Sequence, residues 1–201
     1  MRRTLIGSLV CSSILVFQAK AAVRPHALIS EGMVLQQGKR VAIWGTAADD
    51  EKVAVSFQGQ EISTHAKNGR WTVHLENLKA GGPFPMTIAG SNTIHFNNVQ
   101  VGEVWLASGQ SNMVWPISHS HVPSKVVAQA GNPKIRIFTV PFRPMETPQQ
   151  DLTETQKSPT DWAMVNAHYS PTWREVRPDT IRDLSAVGYF FARDLQKALC
   201  R

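Results

Sequence analysis

Between residues 41 and 98 apolar side chains recur at every second position. Val53, Val55 and Phe57 share one side of a segment, and Trp71, Val73 and Leu75 share one side of another. A period of two puts alternate side chains on one face of a strand. Turn residues punctuate these runs. Asn68-Gly69 is a type I′ hairpin signal between 61–66 and 70–75. Gly81-Gly82-Pro83 breaks the chain, and Gly90-Ser91-Asn92 separates 86–89 from 93–98. Short strands with frequent turns predict a β-sandwich over residues 28–100.

The pattern changes after residue 100. An apolar run at 104–106 enters Ala107-Ser108-Gly109-Gln110-Ser111-Asn112-Met113. This predicts a strand at 103–107 leading into a helix, as in a doubly wound α/β sheet. Residues 134–140 alternate cleanly and predict a second strand. Pro141, Pro144, Pro148, Pro159, Pro171 and Pro178 make 141–180 mostly loop. Val187, Phe190, Phe191, Leu195, Ala198 and Leu199 then fall at helical spacing and form one apolar stripe. Asp183 or Ser185 is the expected cap of that helix.

The first residues stand apart from this pattern. Met1-Arg2-Arg3 is basic, residues 5–17 are apolar, and Ala19-Lys20-Ala21 offers small residues at cleavage spacing. Together they predict a signal peptide over 1–21, and hence a secreted or periplasmic protein. The alternative is an uncleaved anchor, for which the apolar run is short. Arg2, Arg3 and Lys20 supply three of the six net positive charges, and 1–21 holds no acid. The remainder is near neutral at +3 and has no basic tract, which argues against nucleic acid as a partner. Cleavage would remove Cys11 and leave Cys200 without an intrachain partner.

Candidate chemistry centres on Ser111. An apolar strand that ends in a Gly turn presents a serine at a sheet edge. The backbone N–H groups of such a turn point at whatever the oxygen attacks. Ser111 is therefore a candidate nucleophile; the other reading is a Ser/Asn-rich turn with a helix cap. A base for it must come within about 2.6–3.2 Å. His119 and His121 follow closely but read as a solvated loop pair, and they lack the companions of a metal site. His168 lies in the proline-rich region, and His26, His65, His74 and His95 read as solvent-facing. Among Trp44, Trp71, Trp105, Trp115, Trp162 and Trp173, strand positions predict core packing for Trp71 and Trp105. Trp115, near Ser111, is a candidate substrate wall.

Gly102-Glu103-Val104-Trp105-Leu106, Ser108-Gly109-Gln110-Ser111-Asn112-Met113 and Trp115-Pro116 resemble the nucleophile block of the sialate O-acetylesterase family, which belongs to the SGNH hydrolases. The resemblance extends upstream through Gly32-Met33-Val34-Leu35-Gln36, Val41-Ala42-Ile43-Trp44-Gly45-Thr46, Gly69-Arg70-Trp71 and Ala80-Gly81-Gly82-Pro83. Downstream it includes Ser185-Ala186-Val187-Gly188-Tyr189-Phe190-Phe191-Ala192-Arg193.

The resemblance implies a β-sandwich domain at 28–100 followed by the start of an α/β, flavodoxin-like SGNH hydrolase domain at 101–201. It implies a carbohydrate O-acetylesterase with Ser111 as nucleophile and its N–H as an oxyanion donor. Gly109 would allow a tight turn, while Gln110 and Asn112 would brace the loop. No cofactor or metal is implied. The partner is an acetylated sugar or glycan, with no membrane span after leader cleavage; the oligomeric state stays open. Acetylated xylan or another glycan is an alternative substrate, and a non-catalytic glycan-binding fragment is an alternative function. The family's further Gly and Asn donor blocks and its Asp-x-x-His base are not among these 201 residues. The carry-over therefore ends at Ser111 and its loop, as expected of the family's N-terminal part. Val114 stands where family members usually carry Glu.

Overall fold

The structure is a computed structural model that describes residues 22–140, 147, 151–152 and 171–199. The expected leader, both cysteines, Trp162 and His168 lie outside the described residues. The first eight strands are β1 (Arg24–Pro25), β2 (Val34–Gln36), β3 (Val41–Thr46), β4 (Lys52–Phe57), β5 (Gln60–His65), β6 (Arg70–Leu75), β7 (Gly81–Ala89) and β8 (Thr93–Gly102). They form a three-stranded sheet, β1-β3-β6, and a five-stranded sheet, β2-β8-β7-β4-β5. Only β2 and β8 pair in parallel; the other ladders of these sheets are antiparallel.

Alternation closes the two sheets on one core. Val53, Val55 and Phe57 meet Trp71, Val73 and Leu75 there, with Ile43, Met86, Ile88 and Val99. Burying each such side chain contributes roughly 1.5–3 kcal/mol. Trp71 keeps its polar atom satisfied, since Nε1–H donates to the Thr46 carbonyl at 3.1 Å.

The turn at Asn68-Gly69 forms with both φ angles positive, +53° and +73°, as type I′ demands. The expected hairpin does not continue beyond it. Lys67 and Arg70 exchange both backbone hydrogen bonds, and then the strands separate into different sheets. Ala66 stays with the β4 side through Glu51 and Asp50, while Arg70 pairs with Thr46 of β3. Gly81-Gly82-Pro83 is not a break but the irregular start of β7. Gly82 has φ +127°, and a Cβ there would lie 2.9 Å from the Val99 carbonyl, so only glycine fits.

Past Gly102 come α1 (Ser111–Val114), α2 (Ser124–Ala128), β9 (Asn132–Phe138), β10 (Trp173–Val176) and α3 (Ala186–Leu199), with single 3₁₀ turns at Ile117–His119 and Ile181–Asp183. A second core gathers Ile117, Ile135, Val176, Ile181, Leu184 and Tyr189. Two expectations are corrected here. Residues 103–107 form no strand, and the helix after Gly109 is a single turn. The predicted strand at 134–140 exists as β9, but it pairs antiparallel with β10. A strand of a doubly wound sheet needs hydrogen-bonded neighbours and helices over both faces. The β2–β8 ladder ends at Gly102, and 103–107 joins no ladder among the described residues.

Helix α3 forms where the apolar stripe predicted it. Ser185 is its cap, with Oγ accepting the Gly188 N–H at 3.1 Å. Tyr189 is buried, Phe190 and Ala192 pack beside it, and Val187, Phe191 and Leu199 stay exposed. The two cores are joined through the β9–β10 ribbon. Trp173 packs against the first core, and its Nε1–H donates to the Leu28 carbonyl at 2.9 Å. Arg136, its side chain only 3% exposed, pairs with Glu175 at 2.8 Å and donates to Asn98 of β8 at 3.0 Å. Among the described residues, no helix is long and apolar enough to cross a membrane.

Candidate active site

Ser111 is the first residue of α1 and is exposed. The turn before it is held by backbone. Gln110 is extended, and its carbonyl accepts the Met113 N–H at 2.8 Å. The Asn112 carbonyl accepts the Trp115 N–H at 3.4 Å. The side-chain bracing expected of Gln110 and Asn112 is not found; among the described residues neither side chain makes a hydrogen bond. Four residues suffice for one turn of backbone bonds, so the loop does not require side-chain braces. The tight-turn role expected of Gly109 is also corrected. It is absent from the positive-φ residues, and a Cβ there would make only ordinary contact with Met113 at 3.5 Å.

The loop leans on the start of α3. Ala186 N–H donates to the Trp115 carbonyl at 2.9 Å, and Ile117 N–H to the Leu184 carbonyl at 3.0 Å. Ser185 Oγ contacts Met113 Sδ at 3.8 Å. Trp105 was expected in a core. It is instead 60% exposed and rests edge-on against Phe191, ring centres 5.3 Å apart. Among the described residues no strand pairs with 103–107 to cover it. Leu106 beside it is 90% exposed.

Among the described residues no hydrogen bond joins the Ser111 hydroxyl to any side chain. His119 is exposed and engaged with Trp115, whose Nε1–H donates to its carbonyl at 3.0 Å. His121 is exposed. Trp115 itself, half exposed, presents its ring four residues beyond Ser111. His65 and His95 face solvent as expected, and His74 is half-buried. His26 departs from expectation. It stacks beside Trp44 with ring centres 5.0 Å apart, accepts the Leu28 N–H on Nδ1, and faces Asp151 at 3.3 Å. No group of three or more His, Cys, Asp or Glu among the described residues is placed to hold a metal ion.

One cluster escaped the sequence reading. Gln36 and Gln37 at the end of β2 grip Glu103, where the serine segment leaves β8. Gln37 Nε2 donates to Glu103 Oε1 at 2.7 Å and Gln36 Nε2 to Oε2 at 3.1 Å. Gln36 Oε1 accepts the Val104 N–H at 2.8 Å. The Gln37 and then Gln36 amides, with Lys39 nearby, hold the Glu103 carboxyl below its ordinary value. The available signal was that Gln36 closes one motif block and Glu103 stands second in another.

An exposed serine, set four residues before an open tryptophan in a turn braced by backbone, is the arrangement to compare with known proteins. The chain is similar to sialate O-acetylesterases over most of its length. It is 34% identical to the sialate O-acetylesterase of Mus musculus over 185 residues, covering 85% of this chain and 32% of that one. It is 30% identical to that of Homo sapiens over 185 residues, covering 85% and 34%. Among solved structures, a carbohydrate acetylesterase from Xanthomonas citri superposes with a TM-score of 0.78 at 31% identity, over 89% of this chain and 38% of that one. No protein-family model matches the chain. The chain thus spans about a third of the length of the sialate O-acetylesterases it resembles.

Proposed function

We propose that this chain carries the nucleophile of a secreted or periplasmic carbohydrate O-acetylesterase. The observation that supports this most is joint. Relatives at 30–34% identity are named sialate O-acetylesterases, the solved neighbour is a carbohydrate acetylesterase, and Ser111 stands exposed at the head of α1. In this reading residues 28–100 are a β-sandwich domain and 101–201 begin an SGNH-type hydrolase domain. Residues 1–21 are the export leader.

Ser111 Oγ attacks the acetyl carbonyl of a sugar ester. A C–O bond forms to Ser111, the bond from acyl carbon to sugar oxygen breaks, and the serine proton passes through a base to the departing sugar oxygen. Water then cleaves acetyl-Ser111 and returns the hydroxyl, releasing acetate. The first N–H groups of a helix have no acceptor within it. Those at Ser111 and Asn112 are therefore available to the oxyanion. Trp115 offers a face for the sugar ring. No cofactor takes part.

Among the described residues no histidine is hydrogen-bonded to Ser111, so slow turnover is expected of this chain. An unassisted hydroxyl is a weak nucleophile near neutral pH. The test is acetate release from O-acetylated sialic acid and from acetylated xylan, compared between the chain and Ser111→Ala. Slow release that disappears in the alanine variant is expected. Equal release from both proteins would reject the assignment.

A further inference from the structure

We propose that Gln36 and Glu103 are positioning residues that fix the course of the segment leading to Ser111. In this way the five-stranded sheet sets how that serine is presented. The consequence for Ser111 rests on its reading as nucleophile; the clamp itself does not.

The backbone ladder between β2 and β8 runs Val34↔Gln100, Leu35↔Val101, Gln36↔Gly102 and stops. Gln37 N–H closes it on the Gly102 carbonyl at 2.8 Å. One residue later the chain has no strand to pair with, and a side chain takes over. The primary amide of Gln36 has the donor and acceptor of a peptide group. Its Oε1 accepts the Val104 N–H as the next residue of a strand would. Its Nε2 donates to Glu103 and, at 3.2 Å, to the Gln37 carbonyl. Both oxygens of Glu103 are occupied, one by each glutamine. The ladder is thus extended by side chains to Val104, and Trp105 follows at once with its ring on Phe191.

From there to the Gln110 carbonyl, no hydrogen bond holds the segment among the described residues. Six residues of chain can span about 20 Å, so a segment this long follows from its anchors. The anchor on the far side is the start of α3, through Met113, Trp115 and Ile117. The anchor on the near side is the clamp. Because the amides favour the charged carboxylate, the clamp is closed at neutral pH. The Glu103 contacts weaken as pH falls through a Glu103 value below the ordinary one, while the Gln36–Val104 bond does not titrate.

The chemistry of the clamp makes it testable by exchange of partners. Gln36→Leu removes the Val104 acceptor. Gln36→Glu keeps that acceptor but sets two carboxylates together. Combining Gln36→Glu with Glu103→Gln restores the contacts to Val104 and to position 103 in reverse: a carboxylate accepts from Val104 N–H and from the new amide at 103, whose oxygen still accepts from Gln37, while the bond to the Gln37 carbonyl is given up. Amide hydrogen exchange of the full chain reads the result. Gln36→Leu and Gln36→Glu should each speed exchange at Val104 by about tenfold. The combined variant should return it to within about twofold of the parent, with Val99 and Val101 of β8 unchanged throughout. Rescue by reversal assigns the protection to the contact itself rather than to either side chain alone.

In the same four proteins the rate of Ser111 acetylation by an aryl acetate should fall with the single substitutions. It should recover in the pair with KM unaltered. Val104 protected in Gln36→Leu, or unrescued in the pair, would overturn the clamp. Exchange that follows the expected pattern while Ser111 acetylates equally in all four would overturn its positioning role. Absence of Ser111 acetylation even in the parent would reject the nucleophile instead, and the exchange arm would still decide the clamp.

Discussion

Removing Glu175 should destabilise the protein more than removing Arg136, although the two form one ion pair. The difference lies in what each leaves behind. The Arg136 side chain is 3% exposed, that of Glu175 28%. Burial is the main influence on the Arg136 guanidinium and works against its charge; Glu175, then Glu31, work the other way. Glu175→Ala leaves a buried cation with, among the described residues, the Asn98 and Pro133 oxygens and the more distant Glu31. Arg136→Ala strands a carboxylate that water reaches and that Asn98 Nδ2 still contacts at 3.3 Å. Breaking a buried pair from one side costs about 3–5 kcal/mol. We expect Glu175→Ala near the lower end, about 3 kcal/mol, since Glu31 helps. Arg136→Ala should come to about 2 kcal/mol, because an exposed charge is rehydrated. Urea titration followed by circular dichroism measures both. An Arg136→Ala loss equal to or larger than that of Glu175→Ala would refute the reasoning. It would mean that packing of the long side chain, not its stranded charge, dominates.

Three further outcomes follow from burial and hydrogen bonding. Trp71→Ala empties a buried site and removes the indole donor to the Thr46 carbonyl, and should cost about 3–5 kcal/mol in urea titration. Leu106→Asp should change stability by less than about 0.5 kcal/mol in the same measurement, because the side chain is almost wholly in solvent. Ser185→Ala removes the α3 cap and its Met113 contact; a loss of about 1 kcal/mol is expected, with faster amide exchange confined to the first turn of α3.

The strands were legible because alternation is a local signal. Each of β4, β6, β7 and β8 announces its buried face within a few residues. Sheet membership was not, since the same alternation suits either sheet. The ladders of β5 with β4 and of β6 with β3, distant in sequence or indifferent to hydropathy, part the two strands. The run at 104–106 shows the limit of hydropathy. Its apolar residues express a preference for burial, but neighbouring strands must be present to satisfy it, and Trp105 and Leu106 lie exposed without them. Ser111 stands out as a candidate because residue identity, not periodicity, marks it. The Gln36–Glu103 contact spans 67 positions and leaves no periodic trace. His26 was misread for a similar reason: Asp151, its partner, is distant in sequence.

The most direct measurement is the intact mass of the chain, followed by peptide mapping, after brief exposure to an aryl acetate. One acetyl group on the peptide containing Ser111, absent from Ser111→Ala and lost again on standing in water, is the expected result. An acetyl group that persists in the alanine variant, or that sits only on lysines, would contradict Ser111 as the nucleophile.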